Sequence, residues 1–336
     1  MKHPFIALAM QPSRTEHILS PDAFRRLGEV GRVLDPEPLE CFDSDLAKRI
    51  LAETEVLITG WGSPYVGKQV LADAPRLRLI AHAAGTVKGI VDEQIFDAGI
   101  AVTHAAEANS VPVAEFTLAA IIFAGKQVFR FRDLYVTDRG REQTHAMQRL
   151  AIGNYRRTLG IVGASRIGRR VIELLRPFEY NVLLFDPTVD AAEAKRLGTE
   201  KVDLATLMTR SDVISLHAPS LPSTRHMIGD KELSLMKGGA TLINTARGAL
   251  IDEAALLKTL ATGKIDAIID VTDPEVPEKA SAFYKLPNVF LTPHIAGAVG
   301  LERGRLGDMV VDEIERFVKG EPLHYQILRR DLEFIA

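Results

Sequence analysis

Short apolar runs rich in β-branched residues and leucine recur along the chain, separated by stretches whose apolar residues have helical spacing. In the first hundred residues, strands are predicted over Phe5–Leu8, Val56–Ile58, Leu77–Ala81 and Ile100–Thr103. Helices are predicted between these runs, for example over Asp22–Leu27 and Ser44–Ala52. Strands that alternate with helices are typical of a parallel sheet, so the pattern predicts an α/β fold.

The segment that follows has a different pattern. Val111–Leu134 carries apolar residues at helical spacing with few interruptions, which predicts one long helix. Thr137–Tyr155 is polar and contains several arginines and glutamines, which predicts an extended arm or loop. A helix and an arm therefore separate two strand-rich parts of the chain.

Six more apolar runs follow the arm, and each ends in a chemically functional residue or pair. The predicted strands are Leu159–Val162, Val182–Phe185, Val213–Leu216, Thr241–Ile243, Ala267–Ile269 and Val289–Leu291. The residues at their ends are, in order, Gly163, Asp186, His217, Asn244 with Thr245, Asp270, and Pro293 with His294. Ligands of open α/β sheets bind at the carboxyl ends of the strands, so one shared site is expected there. Buried strands also commonly end in polar residues, which explains each position singly.

Composition places the chain among ordinary globular proteins. Its length of 336 residues suggests two domains at roughly 150 residues each. Forty-one Lys and Arg residues against 44 Asp and Glu residues leave a net charge of −3, and 46% of the residues are hydrophobic. These values are sufficient for a large core, and no strongly basic domain stands out. Binding of nucleic acid through a basic surface is therefore not expected.

Other classes of protein are disfavoured by what the sequence lacks. The single cysteine, Cys41, excludes an intrachain disulfide and any multi-cysteine metal site. No metal site is expected from the histidines without ligand-like spacing, which are His3, His17, His104, His145, His226 and His324. The N-terminus does not resemble a signal peptide, and the longest apolar segment, Thr117–Gly125, is half the roughly 20 residues that span a bilayer. A cytoplasmic protein without a membrane segment is expected.

A dinucleotide-binding fingerprint follows the first strand after the arm. Its residues run from Gly160 through Gly163, Ala164, Ser165, Arg166 and Ile167 to Gly168. Gly163 permits a tight turn and Gly168 permits close packing of helix and strand, while the amides at the helix start face a pyrophosphate. Ser165 stands where a glycine usually lets the backbone approach the phosphates, and its hydroxyl could donate to a phosphate oxygen.

Asp186 strengthens the prediction of a dinucleotide site. It ends the next strand, 18 residues after Gly168, where the residue that binds the ribose is expected. A carboxylate there accepts hydrogen bonds from the ribose hydroxyls and repels a 2′-phosphate, so NAD is favoured over NADP. The alternative is an aspartate that only caps the loop after its strand.

Three segments near the ends of the last three strands carry the candidate catalytic residues. Arg247 follows Thr245 and Ala246, Glu275 lies in the segment that begins at Asp270, and His294 follows Pro293. In this order, Arg247, Glu275 and His294 resemble the sites of the D-isomer-specific 2-hydroxyacid dehydrogenases, whose relatives include phosphoglycerate and glyoxylate/hydroxypyruvate enzymes. The resemblance covers nearly the whole chain, including Leu216–Pro219 with Thr224, Asn109–Glu115 and Gly320–Leu323.

The chemistry of these three residue types agrees with the resemblance. An arginine presents planar donors that match the carboxylate and keto oxygen of a 2-keto acid. A histidine both donates and accepts a proton near neutral pH, and Glu275 would orient His294 and favour its protonated form. Taken singly, Arg247 could form an ordinary salt bridge, Glu275 could be solvated surface, and His294 could be a loop histidine.

The resemblance also implies further contacts with the cofactor and the substrate. It implies that Asp270 holds the nicotinamide carboxamide, and it places His217 near the cofactor, with packing as the alternative. The other cofactor positions it implies are Ala218, Pro219, Thr224, Thr245, Ala246, Arg247, His294 and Gly297. On the substrate side, Gly85, Thr86 and Val87 match the loop whose amides hold the carboxylate, although Gly89 replaces the usual aspartate. Trp61 is expected either to line the substrate pocket or to cap the core.

The resemblance implies two Rossmann-like domains with doubly wound parallel sheets. An NAD-binding domain, residues 102–294, would be inserted into a substrate domain formed by residues 1–101 and 295–336. The helix 111–134 and the arm 137–155 resemble the dimerisation region of the family, so a homodimer is expected. The leading hypothesis is an NAD-dependent dehydrogenase that interconverts a D-2-hydroxy acid and its 2-keto acid. The alternative is an NAD(H)-sensing, protein-binding corepressor with the same fold.

Overall fold

The computed structural model describes residues 3–333, which form two compact units. The first unit consists of the chain up to Ser110 together with the chain from Ala298 onward, and the second unit is Val111–Gly297. The domain boundaries predicted from the sequence, 101/102 and 294/295, lie nine and three residues before these divisions. Residues 1–2 and 334–336, which the sequence assigned to the substrate domain, lie outside the described residues.

Strands and helices alternate along most of the chain. The strands are β1 (Phe5–Ala9), β2 (Arg32–Val33), β3 (Val56–Thr59), β4 (Leu79–His82), β5 (Ala101–His104), β6 (Thr158–Val162), β7 (Asn181–Phe185), β8 (Glu200–Lys201), β9 (Val213–Leu216), β10 (Thr241–Asn244), β11 (Asp266–Ile269), β12 (Val289–Leu291) and β13 (Gln326–Ile327). The helices are α1 (Pro12–Thr15), α2 (Pro21–Val30), α3 (Asp45–Glu53), α4 (Lys68–Asp73), α5 (Glu93–Asp97), α6 (Ala106–Gly125), α7 (Val128–Asp138), α8 (Glu142–Met147), α9 (Arg166–Leu175), α10 (Ala191–Leu197), α11 (Leu204–Arg210), α12 (Asp230–Leu235), α13 (Glu253–Ala261) and α14 (Gly304–Lys319). Short 3₁₀ turns occur at Gly248–Leu250, Ala282–Tyr284, Gly300–Arg303 and Arg329–Glu333.

The first unit is built on a six-stranded sheet in the order β13-β5-β4-β3-β1-β2. All of its pairings are parallel except that β13 is antiparallel to β5 at one edge. Side chains alternate between the two faces of a strand, and both faces are buried here. Ile6 and Ile58 pack with Val310 in one core, while Leu57 and Ile80 belong to the core on the other face.

The second unit is built on a parallel seven-stranded sheet in the order β12-β11-β10-β9-β6-β7-β8. The strand order reverses between β6 and β9, which is the arrangement of a doubly wound nucleotide-binding sheet. The predicted α/β fold class is therefore confirmed. Each apolar run predicted as a strand overlaps an observed strand, and β2, β8 and β13, each two residues long, were not predicted.

The prediction of a single helix over 111–134 is wrong. α6 begins earlier, at Ala106, and ends at Gly125, and α7 begins at Val128 after Gln127, whose φ is 50°. The arm folds back on this break, because Gly153 N donates to Gly125 O at 2.6 Å and Asn154 Nδ2 donates to Ile122 O at 3.1 Å. Helical spacing alone does not reveal a break whose hydrogen bonds come from residues thirty positions away. The arm itself contains the short helix α8.

Helix α6 is the one segment among residues 3–333 that is long and apolar enough to cross a membrane by length and composition. It includes Glu107 and Glu115, and more than half of its apolar window is buried inside the structure. Core helices of soluble proteins pass the same test, so the helix is weak evidence for a membrane span.

Candidate active site

The turn from β6 to α9 requires glycine at two positions of the fingerprint. Gly163 has a φ of +98°, and a Cβ on it would lie 2.6 Å from the backbone nitrogen of Ala218. A Cβ on Gly168 would lie 2.1 Å from the carbonyl oxygen of Gly163. Both distances are impossible for real Cβ atoms, so neither position accepts a side chain without a shift of the backbone. The turn is thus compact enough for a phosphate group to approach its amides.

Ser165 is the N-cap of α9. Its φ of −63° is accessible to any residue, and its Oγ accepts a hydrogen bond from Gly168 N at 3.4 Å. The departure from the usual glycine therefore causes no backbone strain, and the hydroxyl hydrogen remains able to donate to a ligand. Arg166 and Ile167 begin the helix, and the amides at the start of a helix favour an anion.

Asp186 lies beside this turn. One carboxylate oxygen accepts from Ala164 N at 2.7 Å, and the other accepts from the Thr188 amide and hydroxyl at 2.8 and 2.7 Å. Burial raises the pKa of Asp186, but the hydrogen bonds from Thr188 and Ala164 lower it by more than burial raises it. The pKa of Asp186 therefore lies below its ordinary value. The carboxylate caps the following loop, as the alternative interpretation expected, and it is also held against the fingerprint.

The segment after β9 forms the opposite side of the turn. His217 is 3% exposed, its Nε2 lies 2.9 Å from Ser215 Oγ, and burial lowers its pKa to about 3. Its ring is therefore neutral and packed inside, as the packing alternative described. Beyond Ala218, which is also buried, Thr224 Oγ1 donates to Pro219 O at 2.6 Å and accepts from Leu221 N at 2.9 Å. Thr224 thus shapes the loop that begins at Pro219.

The neighbouring strands β10, β11 and β12 bring the three catalytic candidates to one edge of the sheet. Arg247 follows β10, Glu275 follows β11 and His294 follows β12. His294 Nδ1 lies 2.5 Å from Glu275 Oε1, and the two side chains are 44% and 61% exposed. Burial lowers the pKa of the Arg247 guanidinium, while the charge of Glu275 raises it. The structure therefore places a partly buried cation beside a hydrogen-bonded His–Glu pair.

Two residues position Arg247: Asn244, which the sequence placed at a strand end of the expected shared site, and Gly248, which the sequence did not assign to the site. Asn244 Oδ1 accepts from Ala246 N at 3.1 Å, and Asn244 Nδ2 donates to Arg247 O at 2.9 Å. A Cβ on Gly248 would lie 2.1 Å from the carbonyl carbon of Thr272, so this loop packs directly against the loop that carries Glu275. The hydrogen bonds of Asn244 join residues within three positions of each other, whereas nothing in the local sequence indicated the contact of Gly248 with Thr272. Within the same turn, Thr245 Oγ1 lies 3.0 Å from the hydroxyl of Thr117 on α6.

Asp270 anchors the loop that carries His294. Its Oδ1 accepts from Thr292 Oγ1 at 2.6 Å and from Ile295 N at 2.8 Å, and its Oδ2 accepts from Ala296 N at 3.0 Å. The Asp270 carbonyl also accepts from His294 N at 2.8 Å. His294 has a φ of 54°, a conformation that L residues adopt rarely, and these hydrogen bonds hold it there. Three acceptor positions of this carboxylate are occupied, and Gly297 ends the second unit directly after this loop.

The candidate substrate residues belong to the first unit. Gly85, Thr86 and Val87 follow β4, where the Gly85 carbonyl lies 3.3 Å from His104 Nδ1 and Val87 is fully buried in the core. The side chain of Val87 is thus closed to a ligand, whereas Gly85 and Thr86 are partly exposed. Trp61 is half-buried, packs against the core that contains Ile6, and contacts the Arg303 guanidinium. Within residues 3–333, no group of three His, Cys, Asp or Glu residues is arranged to hold a metal ion.

Comparison with known proteins decides the family. The profile of the D-isomer specific 2-hydroxyacid dehydrogenase, NAD binding domain, matches residues 118–296. The chain belongs to the D-isomer-specific 2-hydroxyacid dehydrogenase family. The resemblance carried by the motifs is thereby confirmed, and NAD binding by this domain is supported at the level of the family.

Individual members of the 2-hydroxyacid dehydrogenase family match much of the chain. D-3-phosphoglycerate dehydrogenase of Methanocaldococcus jannaschii is 33% identical over 305 residues, which are 90% of this chain and 56% of that protein. Glyoxylate reductase of Thermococcus litoralis is 35% identical over 261 residues, which are 76% of this chain and 78% of that protein. The chain thus spans little more than half the length of the first relative. Both relatives are named as oxidoreductases, the class that the sequence predicted.

A solved structure shows the same fold. The NAD-complexed D-isomer specific 2-hydroxyacid dehydrogenase of Lactobacillus delbrueckii ssp. bulgaricus has a TM-score of 0.79 and 23% identity. The match covers 96% of this chain and 100% of that one.

Proposed function

We propose that this chain is an NAD-dependent oxidoreductase that interconverts a D-2-hydroxy acid and its 2-keto acid. The observation that carries the proposal is the 2.5 Å contact between His294 Nδ1 and Glu275 Oε1 at the strand edge that also presents Arg247. A proton donor beside a guanidinium is the pair of groups that reduction of a keto acid requires.

Arg247 binds the carboxylate and the keto oxygen of the substrate. Its guanidinium is partly buried, and charge-assisted hydrogen bonds are stronger where water is excluded. Asn244 and the close approach of Gly248 to Thr272 hold the backbone of Arg247, which limits the motion of the side chain. The cationic fork polarises the carbonyl and orients the substrate for hydride transfer.

His294 moves the proton at the reacting oxygen. Glu275 engages Nδ1, so the proton that is exchanged with the substrate is carried on Nε2. In the direction of reduction the imidazolium donates this proton to the keto oxygen, and in oxidation the neutral ring removes it from the hydroxyl. Glu275 fixes the tautomer of His294 and stabilises the imidazolium.

The fingerprint of the second unit fits NAD. Gly163, Ser165, Arg166, Ile167 and Gly168 form the compact turn and helix start that receive the pyrophosphate. Bound NAD supplies the hydride chemistry.

The choice between NAD and NADP follows from Asp186. The carboxylate is held beside Ala164, and its lowered pKa keeps it charged at neutral pH. It accepts hydrogen bonds from the ribose hydroxyls and repels a 2′-phosphate, which is the basis for a preference for NAD.

The first unit supplies the substrate domain and the second unit the NAD-binding domain. In the first unit, the amides of the loop Gly85–Val87 hold the substrate carboxylate, and Trp61 lines the side-chain pocket.

A homodimer forms through α6, α7 and the arm. This segment exposes the large apolar side chains of Phe123, Tyr135, Val136, Leu150 and Tyr155.

The test is NADH oxidation by the full chain with glyoxylate, hydroxypyruvate, pyruvate and bulkier 2-keto acids. We expect turnover of at least one acid, and we expect His294→Asn to lower kcat by at least 10³-fold, on the order of the loss of a general acid, without loss of NADH binding. His17→Asn, a change at an exposed histidine between α1 and α2, is the matched control and should leave kcat unchanged. Near-normal turnover by His294→Asn would refute the assignment. Tight NADH binding without turnover of any acid would favour the corepressor-like alternative.

A further inference from the structure

Arg169 of α9 brings a positive charge to the turn that forms the cofactor fingerprint. Its Nε donates a hydrogen bond to the carbonyl oxygen of Ala164 at 2.9 Å. The amide of the same Ala164 donates to Asp186 Oδ2 at 2.7 Å. One residue of the turn thus holds both side chains, the guanidinium through its carbonyl and the carboxylate through its amide. A cation therefore lies close to the carboxylate proposed to bind the ribose.

The charges of Arg169 and Asp186 are close enough to interact. Burial raises the pKa of Asp186, and the groups that lower it include, after the hydrogen bonds from Thr188 and Ala164, the charge of Arg169. A guanidinium beside the ribose attracts a 2′-phosphate, because its planar N–H donors match the oxygens of a phosphate. By itself, Arg169 would therefore favour NADP and oppose the discrimination proposed for Asp186.

Glu193 of α10 is the acidic partner of Arg169. Its Oε1 lies 2.5 Å from Arg169 Nη1, and the two side chains are 29% and 42% exposed, so the pair is open to a ligand from solvent. The backbone of Glu193 is fixed independently of this ion pair, because Asp190 caps α10 and accepts from the Glu193 amide at 2.7 Å. The carboxylate is thus presented to Arg169 by the first turn of a capped helix.

This ion pair masks the cation from a second anion. Glu193 occupies Nη1 of Arg169 while the Ala164 carbonyl occupies Nε, so two of the three guanidinium nitrogens already have acceptors. A 2′-phosphate at Arg169 would have to displace an acceptor, and it would meet the carboxylates of Glu193 and Asp186. Charges of the same sign repel at such short range, whereas a ribose hydroxyl carries no charge and is not repelled.

We propose that Glu193 is a specificity-determining residue, which excludes NADP by holding Arg169 in an ion pair and withholding its guanidinium from a 2′-phosphate. This inference rests on the proposed function and extends it, because NAD is then selected by two carboxylates rather than by Asp186 alone. Asp186 acts on the ribose hydroxyls directly, and Glu193 acts through Arg169. A change at Glu193 therefore alters the affinity for NADPH and leaves the affinity for NADH nearly unchanged.

The binding test measures the dissociation constants of NADH and NADPH by titration calorimetry with the full chain and without a keto acid. We expect Glu193→Gln to strengthen NADPH binding by about 10-fold, the lower end of what one charge-assisted hydrogen bond contributes, and to leave the NADH constant within about 2-fold. Glutamine keeps the size of the side chain, and Asp190 still caps α10. Glu200→Gln removes an exposed carboxylate of β8 that is paired with Arg210, and this matched control should change neither constant.

A double variant decides whether the effect passes through Arg169. In an Arg169→Gln background, Glu193→Gln should leave both constants within about 2-fold, because no guanidinium remains to be released. A gain of NADPH affinity that persists there would assign the phosphate to another cation, such as Arg196, which lies 4.0 Å from Glu193 Oε2, and would overturn the proposal. Equal changes of the two constants in Glu193→Gln, or no change in either, would also overturn it.

Competition against bound NADH tests the adenosine end alone. Adenosine 2′,5′-bisphosphate should displace NADH from Glu193→Gln about 10-fold more effectively than from the wild-type chain, whereas adenosine 5′-monophosphate should displace it equally from both. Equal displacement by the bisphosphate would overturn the inference and leave the proposed function intact. If the selectivity changes as expected but no keto acid is turned over, the proposed function fails and the inference stands. If the wild-type chain binds neither NADH nor NADPH, both fail.

Discussion

Replacement of Asp270 by Asn tests whether this residue anchors the catalytic loop or only contacts the cofactor. The carboxylate accepts three hydrogen bonds, from Thr292, Ile295 and Ala296, and it is 2% exposed. An asparagine has one oxygen, so its amide group must face one of these donors. We expect the Ala296 amide, which faces Oδ2, to lose its acceptor and remain buried.

The size of the effect follows from these contacts. A hydrogen bond to a charged group contributes about 1.5–3 kcal/mol, and a buried donor without a partner costs about 1–3 kcal/mol. The two ranges are not added, because both describe the loss of the same hydrogen bond to the Ala296 amide. Asp270→Asn should therefore lower the free energy of unfolding of the second unit by about 2–3 kcal/mol. The loop would also no longer hold His294 at its φ of 54°, so kcat should fall by at least about 10-fold, the effect of a misplaced catalytic group.

The assay combines urea unfolding, NADH titration and steady-state kinetics. Thr292→Val removes one donor to Oδ1 and should cost about 1 kcal/mol with a smaller loss of kcat. Asp266→Asn is the matched control, because Asp266 lies at the opposite end of the same strand and burial raises the pKa of its carboxyl, so loss of this charge should not destabilise the protein. Unchanged stability and kcat in Asp270→Asn would refute the anchoring role. Unchanged stability with weaker NADH binding would show a direct contact with the cofactor instead.

Three more predictions concern the cofactor turn and pH. Gly163→Ala and Gly168→Ala should each weaken NADH binding by at least about 10-fold in calorimetry, because an added Cβ collides with backbone atoms; normal affinity would contradict the geometry. Asp186→Asn should raise kcat/KM for NADPH relative to NADH, and an unchanged ratio would remove Asp186 from cofactor selection. Burial lowers the pKa of His217 to about 3, so its neutral form contributes stability that is fully present above the unfolded pKa of about 6.5 and is lost as the pH falls from there toward 3. Urea midpoints between pH 5 and 7.5 should therefore change less in His217→Gln than in the wild-type chain, and equal slopes would count against this assignment.

Much of the fold was predictable because its signals are local. Runs of apolar residues bounded by turn residues predicted the strands of both sheets, apart from the three two-residue strands at the edges. The spacing of Gly163, Gly168 and Asp186 predicted a nucleotide-binding turn. The two glycines permit the tight turn and the close packing of helix and strand, and Asp186 ends the adjacent strand. The order of Arg247, Glu275 and His294, together with the other matching motifs along the chain, was enough to recognise the family.

The sequence by itself determined the alternation of strands and helices, the fingerprint and the family, because those depend on residues close together in the chain. Tertiary structure decided how the candidate site is held: Asp270 anchors the His294 loop, and Gly248 packs against Thr272. It also decided where α6 ends and which arginine contacts Trp61, across more than two hundred residues of chain. These contacts join segments far apart in sequence, and only packing around the two cores brings such segments within hydrogen-bonding distance.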